Sequence, residues 1–203
     1  MGNRAVITTE SKELGIYLHW NGGRDSVEGF LKYCELRGFR APSDDNYGWA
    51  CLAHVITNFF GDGMSCGIDL YDRLDTDNWD NGVYVIKGWE IVDRLFMHGD
   101  EQQEYPLDEM LRSIDRKMPE DERLGDYLDS IEVPTDSLHP GDSVWFWGWE
   151  KPQLMRIQGI GRGLKVNGRD VLGVPYVNRF GDNESAEGNI NNYIFSNTVR
   201  VPR

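Results

Sequence analysis

The chain has 203 residues, of which 39% are hydrophobic, 12% aromatic and 27% charged, and its formal net charge is −13 at pH 7. That apolar and aromatic content supports a folded core and excludes a wholly disordered chain, while the lack of any run of about 18 apolar residues excludes a membrane-spanning helix. The charge is segregated: residues 62–150 hold 23 Asp/Glu against 7 Lys/Arg, a net of −16, and residues 151–203 are net +4.

In chain order, segments 5–9 and 15–20 are rich in β-branched and aromatic residues, which predicts two strands joined by the polar turn 10–14. Asn21-Gly22-Gly23 stops the second strand, and Asp25 or Ser26 is the candidate cap of a helix over 27–37. Val27, Phe30, Leu31, Cys34 and Leu36 approximate its apolar face, and Gly38 closes it. A second helix is predicted from Asn46 to Gly61, with Trp49, Leu52, Ala53, Val55, Ile56, Phe59 and Phe60 as a broad stripe. Strands are expected at 64–70 and 83–86 around an Asp-rich loop, with Asn81-Gly82 as the turn signal, and a third at 88–96. Pro106 starts a helix whose predicted buried side is Leu107, Met110, Leu111, Ile114 and Met118. Pro119 and the acids Glu120, Asp121 and Glu122 open another short helix running towards Ile131.

Beyond the Pro-bounded stretch 134–140 the pattern is all strand and turn, at 143–149, 154–160, 164–166, 171–177 and 193–201. Short strands at that spacing predict a small barrel or SH3-like unit. The expected architecture is α+β. A mixed strand/helix lobe over 1–133, whose middle opens the acidic block 62–150, precedes a β-rich lobe over 134–203 packed on the first.

Few residues support catalysis or metal binding. The stretch 45–51 leads into the second helix with Cys51 a full turn inside it, and Leu138-His139-Pro140-Gly141-Asp142-Ser143-Val144-Trp145-Phe146 is similar to a segment of NlpC/P60- or CHAP-type cysteine peptidases. Those enzymes need a later histidine as base, and none follows His139. Cys51 and His54 are spaced to face one ion, but Cys34, Cys66, His19 and His98 are scattered without paired spacing, so no metal site is expected. Read as a calcium loop from Asp77, the Asp-rich stretch 69–82 puts Trp79 where an oxygen ligand belongs and Gly88 at the twelfth position. Gly159-Ile160-Gly161-Arg162-Gly163 lacks the Lys-Ser/Thr of a phosphate loop. Arg156, Arg162, Lys165, Arg169 and Arg179 near Trp145, Trp147, Trp149 and Tyr176 are the ingredients of a single-strand-binding barrel, at low net charge. No cofactor is implied. Three cysteines, an odd number, and an N-terminus without an apolar stretch predict a reduced, cytoplasmic protein.

The stretch Tyr17-Leu18-His19-Trp20-Asn21-Gly22-Gly23-Arg24-Asp25-Ser26-Val27-Glu28-Gly29-Phe30-Leu31, together with residues 1–8, resembles an uncharacterised family of small acidic proteins from prophages and mobile elements of Gram-positive bacteria. That resemblance brings no functional residues. It implies an accessory protein that blocks a host nucleic-acid or defence enzyme by binding it. Charge and aromatic content point the same way, to a non-enzymatic interaction protein that meets a basic protein surface and does not bind duplex DNA. Asp72, Asp75, Asp77, Trp79 and Asp80 are the candidate contact residues, tryptophan beside acids being a typical anchor. The alternative is a small-ligand binder or cysteine-peptidase-like hydrolase, with a site at Cys51 or in a pocket of His19, Trp20, Asn21, Arg24 and Asp25.

Overall fold

The structure is a computed structural model describing residues 2–42, 46–61, 65–98, 100–139, 141–147, 151–156, 161–166, 169–173, 193–194 and 198–203, with backbone alone at 136, 146, 147, 155, 161–166, 169–173 and 193–194. It is α+β, with three α-helices among the described residues, and it forms two compact units, Met1–Arg123 and Leu124–Arg203. No helix among the described residues is long and apolar enough to cross a membrane.

The first unit is organised around β1 (Ala5–Thr9), all five residues of which are buried. It pairs antiparallel with β2 (Leu14–Leu18), in a register running from Ala5 opposite Leu18 to Thr8 opposite Gly15. β2 pairs in turn with β3 (Cys66–Leu70), and β1 takes β4 (Val83–Lys87) as a parallel neighbour, with β5 (Glu90–Leu95) at the far edge. The sheet order is therefore β3-β2-β1-β4-β5. The period of two along each strand divides this sheet into two faces. Val6, Val83 and Val85 lie on one, beneath Tyr71 and Leu74 of the loop after β3. Ile7, Ile16 and Tyr84 lie on the other, where Arg24 at the start of α1 (Arg24–Leu36) sits over the Tyr84 ring.

α1 is the middle helix, packed against both α2 (Asn46–Phe60) and α3 (Leu107–Lys117). Its buried Val27, Phe30, Leu31 and Cys34 face the core, and Tyr33 reaches α3, donating its hydroxyl hydrogen to Asp115 at 2.7 Å. The second helix begins and ends as its apolar stripe predicts. The first begins earlier than expected: Gly23 occupies the N-cap with no side-chain cap, and Asp25 lies inside the first turn. A Cβ at Gly23 would stand 2.4 Å from the Gln102 carbonyl oxygen, so the segment 102–105 can approach only a glycine there. Leu107, assigned to the buried side of α3, is 41% exposed, because the helix buries Met110, Leu111 and Ile114 instead. The short helix expected after Pro119 is two 3₁₀ turns, Glu120–Glu122 and Gly125–Asp129.

In the second unit, β6 (Ile131–Pro134), β7 (Ser143–Trp147), β8 (Pro152–Arg156) and β12 (Thr198–Val201) form an antiparallel sheet in the order β6-β12-β7-β8. β9 (Gly161–Val166), β10 (Arg169–Gly173) and β11 (Tyr193–Ile194) form a three-stranded antiparallel sheet. β6 falls in a stretch read as helix end and linker, and it is a strand because β12, far along the chain, pairs with it from Thr198–Pro134 to Val201–Ile131. Arg200 fixes that join, donating from Nε to Ser130 Oγ at 2.7 Å beneath the Tyr127 ring. Predicted strand residues 148–149, 157–160, 174–177 and 195–197 lie outside the described residues.

Candidate functional site

The loop between β3 and β4 is built by two buried asparagines. Asn78 Oδ1 accepts the N–H groups of Asp80 and Gly82 at 3.2 and 3.1 Å, and its amide donates to the carbonyls of Asp75 and Gly82. Asn81 donates its backbone N–H to the Arg4 carbonyl and its amide to Asn3, and accepts the Gln102 N–H at 3.2 Å. These bonds close the loop onto the N-terminal residues and fix its tip. Between them stands Trp79, held at φ 59° in the left-handed region and 70% exposed. A bulky residue rarely adopts that conformation, and the surrounding bonds over-determine it. One face of its indole is stacked on His98, with centroids 4.5 Å apart and planes 16° from parallel. His98 Nε2 donates to Asp77 at 2.6 Å, so the stack is tied to the loop.

Of the five sequence candidates in this loop, Asp72, Asp75, Asp77 and Trp79 are exposed, and Asp77 is tied to the Trp79 stack through His98. Asp80 is not exposed. Its side chain is buried and accepts from the Arg4 Nε at 2.6 Å and the Arg4 N–H at 3.2 Å, a bond that raises the guanidinium above its ordinary pKa. Phe96, also in the left-handed region at φ 53°, and Met97 are about half exposed beside the loop, whose Gly82 lies against the Phe96 carbonyl. Sequence reasoning missed both, since nothing local separates an exposed Phe96 from a core one.

The second candidate group, at the β2–α1 junction, is dispersed by the structure. Arg24 is engaged with Glu101 at 2.5 Å and Glu28 at 2.9 Å. Asp25 is buried, and its carboxylate accepts three backbone N–H groups, from Ser26, Glu104 and Tyr105, at 2.7, 2.7 and 2.8 Å. His19 and Trp20 are exposed and meet edge to face. Asn21, at φ 52°, lines a half-open cleft of about 480 Å³ together with Phe59, Tyr105 and residues of the Glu109–Arg116 stretch of α3. Nearby, Tyr84 is fully buried between Arg24 and Arg94, whose guanidinium centres both lie 5.9 Å from its ring. Burial, reinforced by the charge of Glu101, pushes its phenol far above the ordinary range.

Cys51 lies in the second turn of α2, beyond the N-terminal turn where the dipole would activate a thiol. His54, one turn on, is bonded through Nε2 to Glu122 at 2.6 Å. Cys34 is fully buried, and burial raises its thiol well above the usual value. Among the described residues no three His, Cys, Asp or Glu side chains gather to hold a metal. Gly159, Ile160, Trp149, Tyr176 and Arg179, and the side chains of Trp147, Arg162, Lys165 and Arg169, lie outside the described residues. No protein-family model, curated protein or solved structure matches this chain.

Proposed function

We propose that this chain is a non-enzymatic interaction protein that binds a basic surface of another protein through the loop 72–79 and the adjoining residues 96–98. The observation that carries the reading is Trp79: an indole held in a strained conformation, backed on one face by His98 and open on the other. Strain of about 1–2 kcal/mol persists where the surrounding structure over-determines it, and such positions cluster at binding and active sites. An open indole face beside the exposed carboxylates of Asp72, Asp75 and Asp77 is the chemistry that receives a lysine or arginine side chain. Phe96 and Met97 add apolar contact area. The net charge of −16 over residues 62–150 steers such a partner and opposes nucleic acid. The resemblance to small acidic proteins of mobile elements makes a host nucleic-acid or defence enzyme the proposed partner and the cytoplasm the proposed location.

The test is kinetic. With a partner captured from lysate, association should slow steeply as salt rises, and changing Asp72, Asp75 and Asp77 together to Asn should slow it at low salt with the fold intact. Trp79→Gly should leave association similar and speed dissociation. Wild-type rates in both variants would remove this surface from the binding reaction. The same charge argument expects no duplex DNA gel shift at about 150 mM salt.

A further inference from the structure

The cleft at the β2–α1 junction shares no residue with the Trp79 surface, and its chemistry is of the opposite sign. In a chain of net charge −13, its lining brings two guanidinium groups, Arg112 and Arg116, against one carboxylate, Glu109. These residues and Ser113 follow a spacing of three, four and seven along α3, so they form one stripe of the helix, and the buried Met110 beside that stripe also lines the cleft. Phe59, Tyr105 and Asn21 complete the lining.

The walls are held before any ligand arrives. Phe59 packs edge-on against Phe30 and Phe60, at 5.2 and 5.4 Å between centroids. Tyr105 is fixed through its backbone by buried Asp25, and α3 is anchored by the Asp115–Tyr33 bond. Asn21 is held at φ 52° by a bond from its amide to Ser26 Oγ, leaving its carbonyl oxygen as an acceptor. A cavity and two arginines on one helix stripe coincide here.

We infer that this cleft binds a mononucleotide. Arginines one helical turn apart match the oxygens of a phosphate monoester. Two aromatic walls suit a flat base, and Glu109 and Asn21 supply acceptors for ring amino or ribose hydroxyl groups. A volume of about 480 Å³ falls within the range of small-molecule sites.

The experiment is calorimetric titration of the full chain with AMP, GMP, CMP and UMP, each beside its nucleoside, and with inorganic phosphate. At least one mononucleotide should saturate one site with a dissociation constant below about 1 mM, a modest affinity for a ligand of this size. Its nucleoside, and inorganic phosphate alone, should each bind at least about tenfold more weakly. Replacing Arg112 and Arg116 together by Gln should weaken binding at least about tenfold, as should Tyr105→Ala, with unchanged circular dichroism. Trp79→Gly should leave nucleotide binding unchanged, which separates the fate of this site from that of the protein-binding surface. Failure of all four mononucleotides to saturate, equal binding of phosphate alone, or retained affinity in the double arginine variant would overturn the assignment.

Discussion

Asp25→Ala removes a carboxylate that serves three backbone donors at once. Hydrogen bonds to a charged acceptor contribute about 1.5–3 kcal/mol each, so complete loss of all three without relief would cost about 4.5–9 kcal/mol. Two donors, those of Glu104 and Tyr105, belong to exposed residues that water can solvate once the segment lifts, whereas Ser26 is 1% exposed and cannot recover its partner. The expected net cost is therefore about 2–4 kcal/mol. With a urea slope of about 2 kcal/mol/M, the unfolding midpoint should fall by about 1–2 M. Asp25→Asn keeps the oxygen shared by Glu104 and Tyr105 but leaves the buried Ser26 N–H facing an amide, and should lose about 1–3 kcal/mol. Hydrogen exchange supplies the local readout: the amides of Glu104 and Tyr105 should speed up in the alanine variant before the sheet amides do. An alanine variant within about 0.5 kcal/mol of wild type, with those amides still protected, would refute this account of the segment's anchoring.

Helix propensity alone makes Gly48→Ala a gain of about 1 kcal/mol, but the new Cβ would lie 2.2 Å from the Ala41 carbonyl carbon. Overpacking against backbone should reverse the sign to a loss of about 1–3 kcal/mol in thermal unfolding. Gly29→Ala, which meets side chains rather than backbone, Met110 at 2.5 Å and Ile114 at 3.4 Å, should cost less. Trp79→Gly should leave stability unchanged or raise it by up to about 1 kcal/mol, because it relieves a left-handed backbone and exposes little new surface. A marked drop in melting temperature would mean that the tryptophan is structural.

The raised phenol of Tyr84 is neutral in the folded state while the unfolded side chain ionises near pH 10. Its contribution is intact below that pH and is lost as pH rises towards the folded value, at about 1.4 kcal/mol per pH unit. Tyr84→Phe should flatten part of the alkaline fall between pH 9 and 11, with Tyr17 and Tyr71, also raised by burial, keeping the remainder. Near neutral pH the variant should match or exceed wild type, since the hydroxyl is buried without a partner among the described residues. An unchanged alkaline slope would refute the assignment.

The sequence by itself determined what depends on neighbours within a few residues. Strand β1, helix α2 and the positions of Gly38 and Gly82, both in the left-handed region, follow from side-chain period and from glycine at turns, so the α+β class was legible. Charge segregation and the placement of Trp79 among exposed acids were legible for the same reason. Only the tertiary structure decided which carboxylates are structural. Asp80 turns inward to an arginine 76 positions away, and Asp25 captures amides 79 and 80 positions away, while Asp72 and Asp77 stay outside. An aspartate carries no local mark of a distant partner, and β6 likewise is a strand only because β12 returns to pair with it. The cleft belongs with them, since its walls come from the end of β2, the end of α2 and one stripe of α3, which meet only when helices chosen by their buried faces are packed together.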